Sequence, residues 1–145
     1  MSNMKKGWKI LEGIAMADIA FEAVGKDLSQ LFEHAALAVE SVMVDVKTVK
    51  PKRTTTITLE KDSIETLLYA FLSELVYVKD AEQMLFSEFK IAVAKNKGWQ
   101  LHAHLKGDTI NKRMKLGTDV KAITLHQFSV TQDKKAWTAR VVVDV

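Results

Sequence analysis

The chain is 145 residues long, 48% hydrophobic and 27% charged, with a net charge of +3 and no cysteine. That length suits one domain, taken as 1–145 with a loose stretch at 1–7, and it can bury a core without staples. Disulfides and thiolate metal sites are excluded, and no apolar run approaches the length of a signal peptide or membrane span, so the expectation is a cytoplasmic protein with no membrane partner.

Residues 8–11 predict a short strand. Residues 17–24 alternate, with Ile19, Phe21 and Ala23 on one face and Asp18, Ala20 and Glu22 on the other. Asp27 then offers an N-cap, with Gln30 three residues on. Leu28, Leu31, Phe32, Ala35, Val39 and Met43 form an apolar stripe, predicting a helix to about Val44.

A polar link holds Pro51, and 54–60 is β-branched and strand-like. Asp62 and Glu65 mark a second helix whose stripe runs from Ile64 to Val78, with its end expected near Lys79-Asp80. Phe89, Ile91 and Val93 alternate, and Lys95-Asn96-Lys97-Gly98 has hairpin chemistry. Trp99, Leu101, Ala103 and Leu105 form the return strand. The polar stretch 106–118 has no apolar periodicity and reads as a long loop. Strands are expected over 120–126 and 128–130, with a bulge between, and from Trp137 to Val145 after a turn at 132–135. The fold class is α+β, a mostly antiparallel sheet with two helices packed on one face.

No Gly-rich phosphate loop, GxSxG, HExxH or cysteine nucleophile occurs. His102 and His104 share a strand face, where a solvated polar pair is the simpler reading than a metal site, and His34 lies on the first helix as a surface or boundary residue. Asp144 is an acid in a strand whose other members are mostly apolar, and Asp18 poses the same question at the start of another. Glu12 ends the strand before that. If the first and last strands are neighbours, these acids converge on a hard cation such as Ca²⁺ or Mg²⁺. Lys121 could then counter their charge or hold a phosphate.

Six fragments together resemble the archease family. They are Ala17-Asp18-Ile19-Ala20-Phe21-Glu22 running into Gly25-Lys26-Asp27-Leu28, Leu31-Phe32-Glu33-His34-Ala35-Ala36, and residues 67–76. The other three are Phe86-Ser87-Glu88-Phe89, Val120-Lys121-Ala122-Ile123-Thr124-Leu125-His126, and Ala139-Arg140-Val141-Val142-Val143-Asp144-Val145. The family's usual Asp-His-Thr-Ala-Asp is here Glu12-Gly13-Ile14-Ala15-Met16-Ala17-Asp18, and the Tyr of its Thr-Tyr-His is Leu125.

The resemblance implies a strand–helix–strand–strand core and no catalysis by the chain itself. It implies a non-catalytic activator of the RNA-splicing ligase that joins 3′-phosphate and 5′-hydroxyl ends in tRNA splicing and RNA repair. The activator promotes guanylylation of that ligase by GTP and its multiple turnover. It further implies a divalent metal, Ca or Mg/Mn, held by Asp18, Asp144, Glu12 and Val145, with Lys121 and His126 facing the partner or a phosphate.

The alternative is an RNA- or tRNA-binding chaperone module that modulates a tRNA-modifying enzyme, working through the basic group between Lys106 and Lys121. A hydrolase or lyase using Glu12, Asp18 and Asp144 ranks last, because no nucleophile or phosphate cradle accompanies them.

Overall fold

The computed structural model describes residues 6–11 and 17–145. Seven strands and two long helices follow in the order β1 (Trp8–Leu11), β2 (Asp18–Gly25), α1 (Leu28–Met43), β3 (Arg53–Lys61), α2 (Ile64–Glu82), β4 (Met84–Asn96), β5 (Gly98–Thr109), β6 (Ala122–Gln132) and β7 (Trp137–Asp144). A 3₁₀ turn, Val46–Thr48, lies between α1 and β3. The expected α+β class with antiparallel strands is what the chain adopts.

The strands divide into two sheets, ordered β1-β2-β7-β6 and β3-β5-β4. Each helix touches both sheets, α1 lying on β2 and β4 and α2 on β6 and β3. Phe32 of α1 and Phe71 of α2 stack where the helices meet, with ring centroids 6.2 Å apart. The core is one continuous cluster drawing residues from both helices and both sheets. A single-sheet reading is natural from strand patterns alone, because which strands pair is a property of tertiary register and not of local alternation.

Helix starts follow from local chemistry. The Asp27 side chain accepts from the Gln30 N–H at 2.8 Å, while Gln30 Oε1 accepts from the Lys26 N–H at 2.8 Å. This is a reciprocal cap displaced one residue from the usual capping box. For α2 the cap is Ser63, whose hydroxyl accepts from the Thr66 N–H at 3.1 Å, and not the preceding Asp62. The helix runs past Lys79-Asp80 to Glu82 and ends in the left-handed Gln83, φ 55°. It continues because Lys79, on the buried stripe below Leu72 and Leu75, is itself covered.

The stretch 106–118 is only partly a loop. Strand β5 extends to Thr109, with Gly107 opposite both Arg53 and Phe86. Gly107 is buried at a core position, so no apolar side chain signals the strand there. A Cβ added to it would sit 1.9 Å from the Leu85 carbonyl oxygen and 2.7 Å from the Phe86 Cα. Backbone cannot yield as a side chain can. Gly107→Ala is therefore expected to lower stability by about 3 kcal/mol, by forcing β4 away from β5. A thermal melt reads this as a midpoint drop on the order of 10 °C. An unchanged midpoint would refute the close approach.

The remainder of that stretch is tied down, Leu116 bridging to Val44 beyond the end of α1. In β6 the register with β7 slips between Thr124 and Ser129, and Gln127 is left-handed at φ 52°. The bulge expected between residues 126 and 128 is thus present. The loose stretch expected at 1–7 lies outside the described residues for 1–5, whereas the Gly7 carbonyl accepts from the Val24 N–H at 2.7 Å.

Candidate metal centre and its surroundings

The two strands that carry the candidate acids are adjacent. In the antiparallel β2–β7 pair, Asp18 is the direct partner of Asp144, at the end of both strands. Direct partners project to the same face, so the two acids leave the sheet on one side, each half-buried. Among the described residues neither has an ion-pair partner. Like charges directly opposite destabilise a sheet.

The neighbouring elements complete this end. The Val145 N–H donates to the Ala17 carbonyl at 2.9 Å, which sets Val145 beside the start of β2. Lys121 donates its backbone N–H to the Asp144 carbonyl at 2.8 Å, and Ala122 is the β6 partner of Asp144. The Lys121 side chain is exposed. His126 stands four residues beyond Ala122 along β6, about 13 Å at strand rise, exposed where the strand bulges. Glu12 lies outside the described residues.

The backbones of Asp18, Asp144, Val145 and Lys121 are thus adjacent, and His126 is set apart from them. Among the described residues no group of three or more His, Cys, Asp or Glu side chains is placed to hold a metal. Two carboxylates on one face fit part of the oxygen shell of a hard cation, the rest being left to carbonyls or water.

Two groups that the sequence reading passed over organise this region. Lys79, almost fully buried on α2, donates to Asp119 Oδ1 at 2.6 Å and to the Val120 carbonyl at 2.8 Å, and it pairs with Asp80 at 2.5 Å. Burial pulls the Lys79 pKa down, but hydrogen bonds and charge from Asp119 and Asp80 outweigh it and raise the value above that of an ordinary lysine. The ammonium therefore stays charged and clamps residues 119–120, immediately before Lys121, to the helix.

Beside Lys121 a shallow groove of about 220 Å³ runs between α2 and the start of β6, bordered by Tyr69, Ser73, Tyr77 and Asp80. Tyr77 is 61% exposed. The second group is Glu40, fully buried in α1. Its Oε1 accepts from the Phe86 N–H at 2.9 Å, while Oε2 has no partner. Burial pushes its pKa up to about 8, against the lowering effects of the Phe86 hydrogen bond and of Lys79.

Both were detectable as charges on an apolar stripe. Glu40 follows Phe32 and Ala36 at four-residue spacing, and Lys79 follows Leu75. Three of the four histidines are held by local hydrogen bonds. His34 donates from Nδ1 to the Val24 carbonyl at 2.6 Å. His102 and His104 lie exposed with centroids 4.9 Å apart, each hydrogen-bonded to a β3 threonine, Thr58 or Thr56.

The sequence profile of the archease protein family matches residues 8–145. A protein archease from Methanosarcina barkeri is 33% identical over 148 residues, covering 100% of both chains. One from Archaeoglobus fulgidus is 36% identical over 129 residues, covering 89% of this chain and 93% of its own. The solution structure of Methanobacterium thermoautotrophicum protein 1598 superposes with a TM-score of 0.85 at 33% identity, covering 97% of this chain and 99% of that one. The crystal structure of a Thermotoga maritima archease, described as a possible chaperone, has a TM-score of 0.63 at 16% identity and so shares the fold. With its acid-tipped central strand pair and two-sheet α+β fold, this chain belongs to the archease family.

Proposed function

We propose that this archease is a non-catalytic accessory protein that activates a 3′-phosphate/5′-hydroxyl RNA ligase by promoting its guanylylation with GTP. The observation that carries the reading is the direct opposition of Asp18 and Asp144, neither of them in an ion pair among the described residues. Such a pair, at the end of rigid strands, is built to share a divalent cation, Ca or Mg/Mn.

Asp18 and Asp144 would hold the ion, with Val145 alongside. Once bound, a divalent cation neutralises charge on a transferring phosphoryl group. The chain's own residues do the rest. The β2–β7 register fixes the carboxylates relative to each other. The Lys79 clamp and the hydrogen bond to the Asp144 carbonyl fix Lys121. Its exposed ammonium then offsets phosphate charge as a point cation. The groove with Tyr77 at its edge offers the ligase an aromatic contact beside Lys121.

The reading as an accessory protein rests on membership of the archease family. The description of the Thermotoga maritima protein as a possible chaperone points the same way.

The test is a guanylylation assay with purified ligase, GTP and metal. Adding this protein is expected to raise the rate of ligase labelling and to convert single-turnover ligation into multiple turnover. No stimulation at any metal, or GTP turnover by the isolated protein, would overturn the reading.

A further inference from the structure

An open cleft of about 500 Å³ shares no residue with the acidic tip. Two stretches distant in sequence line it, 48–53 leading into β3 and 108–113 leaving β5. Its rim carries Lys50, Lys52, Arg53, Lys112 and Arg113. All five are exposed, and among the described residues none is in an ion pair. The cleft has one acid, Asp108, engaged in shaping the loop. Its Oδ1 accepts from the Thr109 N–H at 2.9 Å and its Oδ2 from the Asn111 amide at 3.3 Å.

The two sides are fastened together. The Lys52 N–H donates to the Gly107 carbonyl at 3.0 Å, and the Lys115 N–H to Thr48 Oγ1 at 3.0 Å. The charges are thus presented on a fixed frame.

The asymmetry is large. Residues 45–53 and 106–115 hold eight Lys and Arg against two acids, a net +6, whereas the whole chain is +3 and the remainder therefore −3. Mutual repulsion of clustered cations costs stability unless an anion sits among them.

The chemistry of the lining narrows the ligand. Among the described residues no aromatic side chain lines the cleft, so bases have nothing there to stack on. Ile110 is its one large apolar residue, which denies it the desolvated anchor cluster that a protein partner needs. Lysines and arginines on two walls match a line of phosphates.

We propose that this cleft binds the phosphodiester backbone of a nucleic-acid strand, without regard to base sequence. The inference goes beyond the acidic tip and does not depend on it.

The test uses the full chain alone and a short fluorescein-labelled single-stranded RNA, followed by anisotropy across a salt series. Substituting Lys50→Gln, Lys52→Gln, Lys112→Gln and Arg113→Gln together is expected to weaken binding by at least about tenfold. It should also flatten the slope of log affinity against log salt by about 2 to 3, since each phosphate contact on a single strand contributes about 0.7. A control set of equal charge loss, Lys26→Gln, Lys61→Gln, Lys90→Gln and Lys134→Gln, should leave both nearly unchanged. DNA of the same sequence separates the sources. Equal binding assigns the shared backbone, and a preference for RNA adds its 2′-hydroxyls; either supports the proposal.

Three results overturn it. The cleft variant binds as well as the parent, the control set weakens binding equally, or polyglutamate of matched charge displaces the RNA as readily. The last would hand the surface to an acidic protein. No ligase is present, so failure here leaves the guanylylation reading standing.

Discussion

Asp144→Ala is expected to abolish ligase activation while making the free protein slightly more stable. The two effects have opposite signs because one carboxylate serves both. Without a cation, Asp144 repels Asp18 across the β2–β7 pair, and removing it relieves about 0.2–1 kcal/mol of cross-strand repulsion. With a cation, it is half of the side-chain donor set seen in the described residues. A drop in guanylylation stimulation of about 100-fold or more is expected, because removing even an outer-shell partner costs 10- to 100-fold.

Thermal melts supply the second readout. Ca²⁺ or Mn²⁺ at about 100 times its dissociation constant should stabilise the parent by about 2.7 kcal/mol and the variant by little. Asp18→Asn should behave alike. Full activation by either variant would remove the acidic tip from the mechanism. Lost activation with a collapsed melting curve would instead mean that the strand pair itself had failed.

Glu40 sets the pH profile of stability. Its pKa is raised by burial from 4.5 to about 8, so the folded protein keeps a proton on this carboxyl that the unfolded chain has released. Oε2, which lacks a partner, is where that proton resides. Between pH 4.5 and 8 the folded state binds more protons than the unfolded one, so stability falls as pH rises. The contribution is complete below pH 4.5 and is lost by the time the pH has passed about 8.

Over that window the change is on the order of 5 kcal/mol for this group taken alone. Glu40→Gln keeps an oxygen for the Phe86 N–H and has no proton to lose. Its denaturant midpoint should be flat across the window and higher than the parent's at alkaline pH. Parallel profiles for the two proteins would show that the carboxyl is not buried as described.

Much of the fold was legible because the chain advertises it locally. The alternation of Ile19, Phe21 and Ala23, the stripe from Leu28 to Met43 and the turn at Lys95 to Gly98 each specify an element without reference to the rest. The division into two sheets was not legible, because β3, β4 and β5 alternate in the same way as β2, β6 and β7. The end of β5 was hidden by Gly107, where close backbone approach replaces an apolar side chain.

Of the candidate site, Asp18 and Asp144 stood out as acids in apolar strands, and the family resemblance linked them. Their direct opposition is a fact of register, which only the folded chain supplies. Lys79 and Glu40 broke the apolar stripes they sit on, but a charge on a stripe does not say what satisfies it. The basic cleft was half visible, since residues 106–121 are rich in lysine. Its other wall comes from 48–53, brought alongside by β3 pairing with β5.

The slipped register of β6 has a bearing on how the protein behaves in a crowded solution. This strand closes one side of its sheet, and an unbroken rim would invite a second chain to add on and propagate as fibres. Left-handed Gln127 and the unpaired residues around it interrupt the row of free amides and carbonyls. Leu125, 68% exposed, is thereby carried on a kink and not on a flat ribbon that a neighbour could zip against.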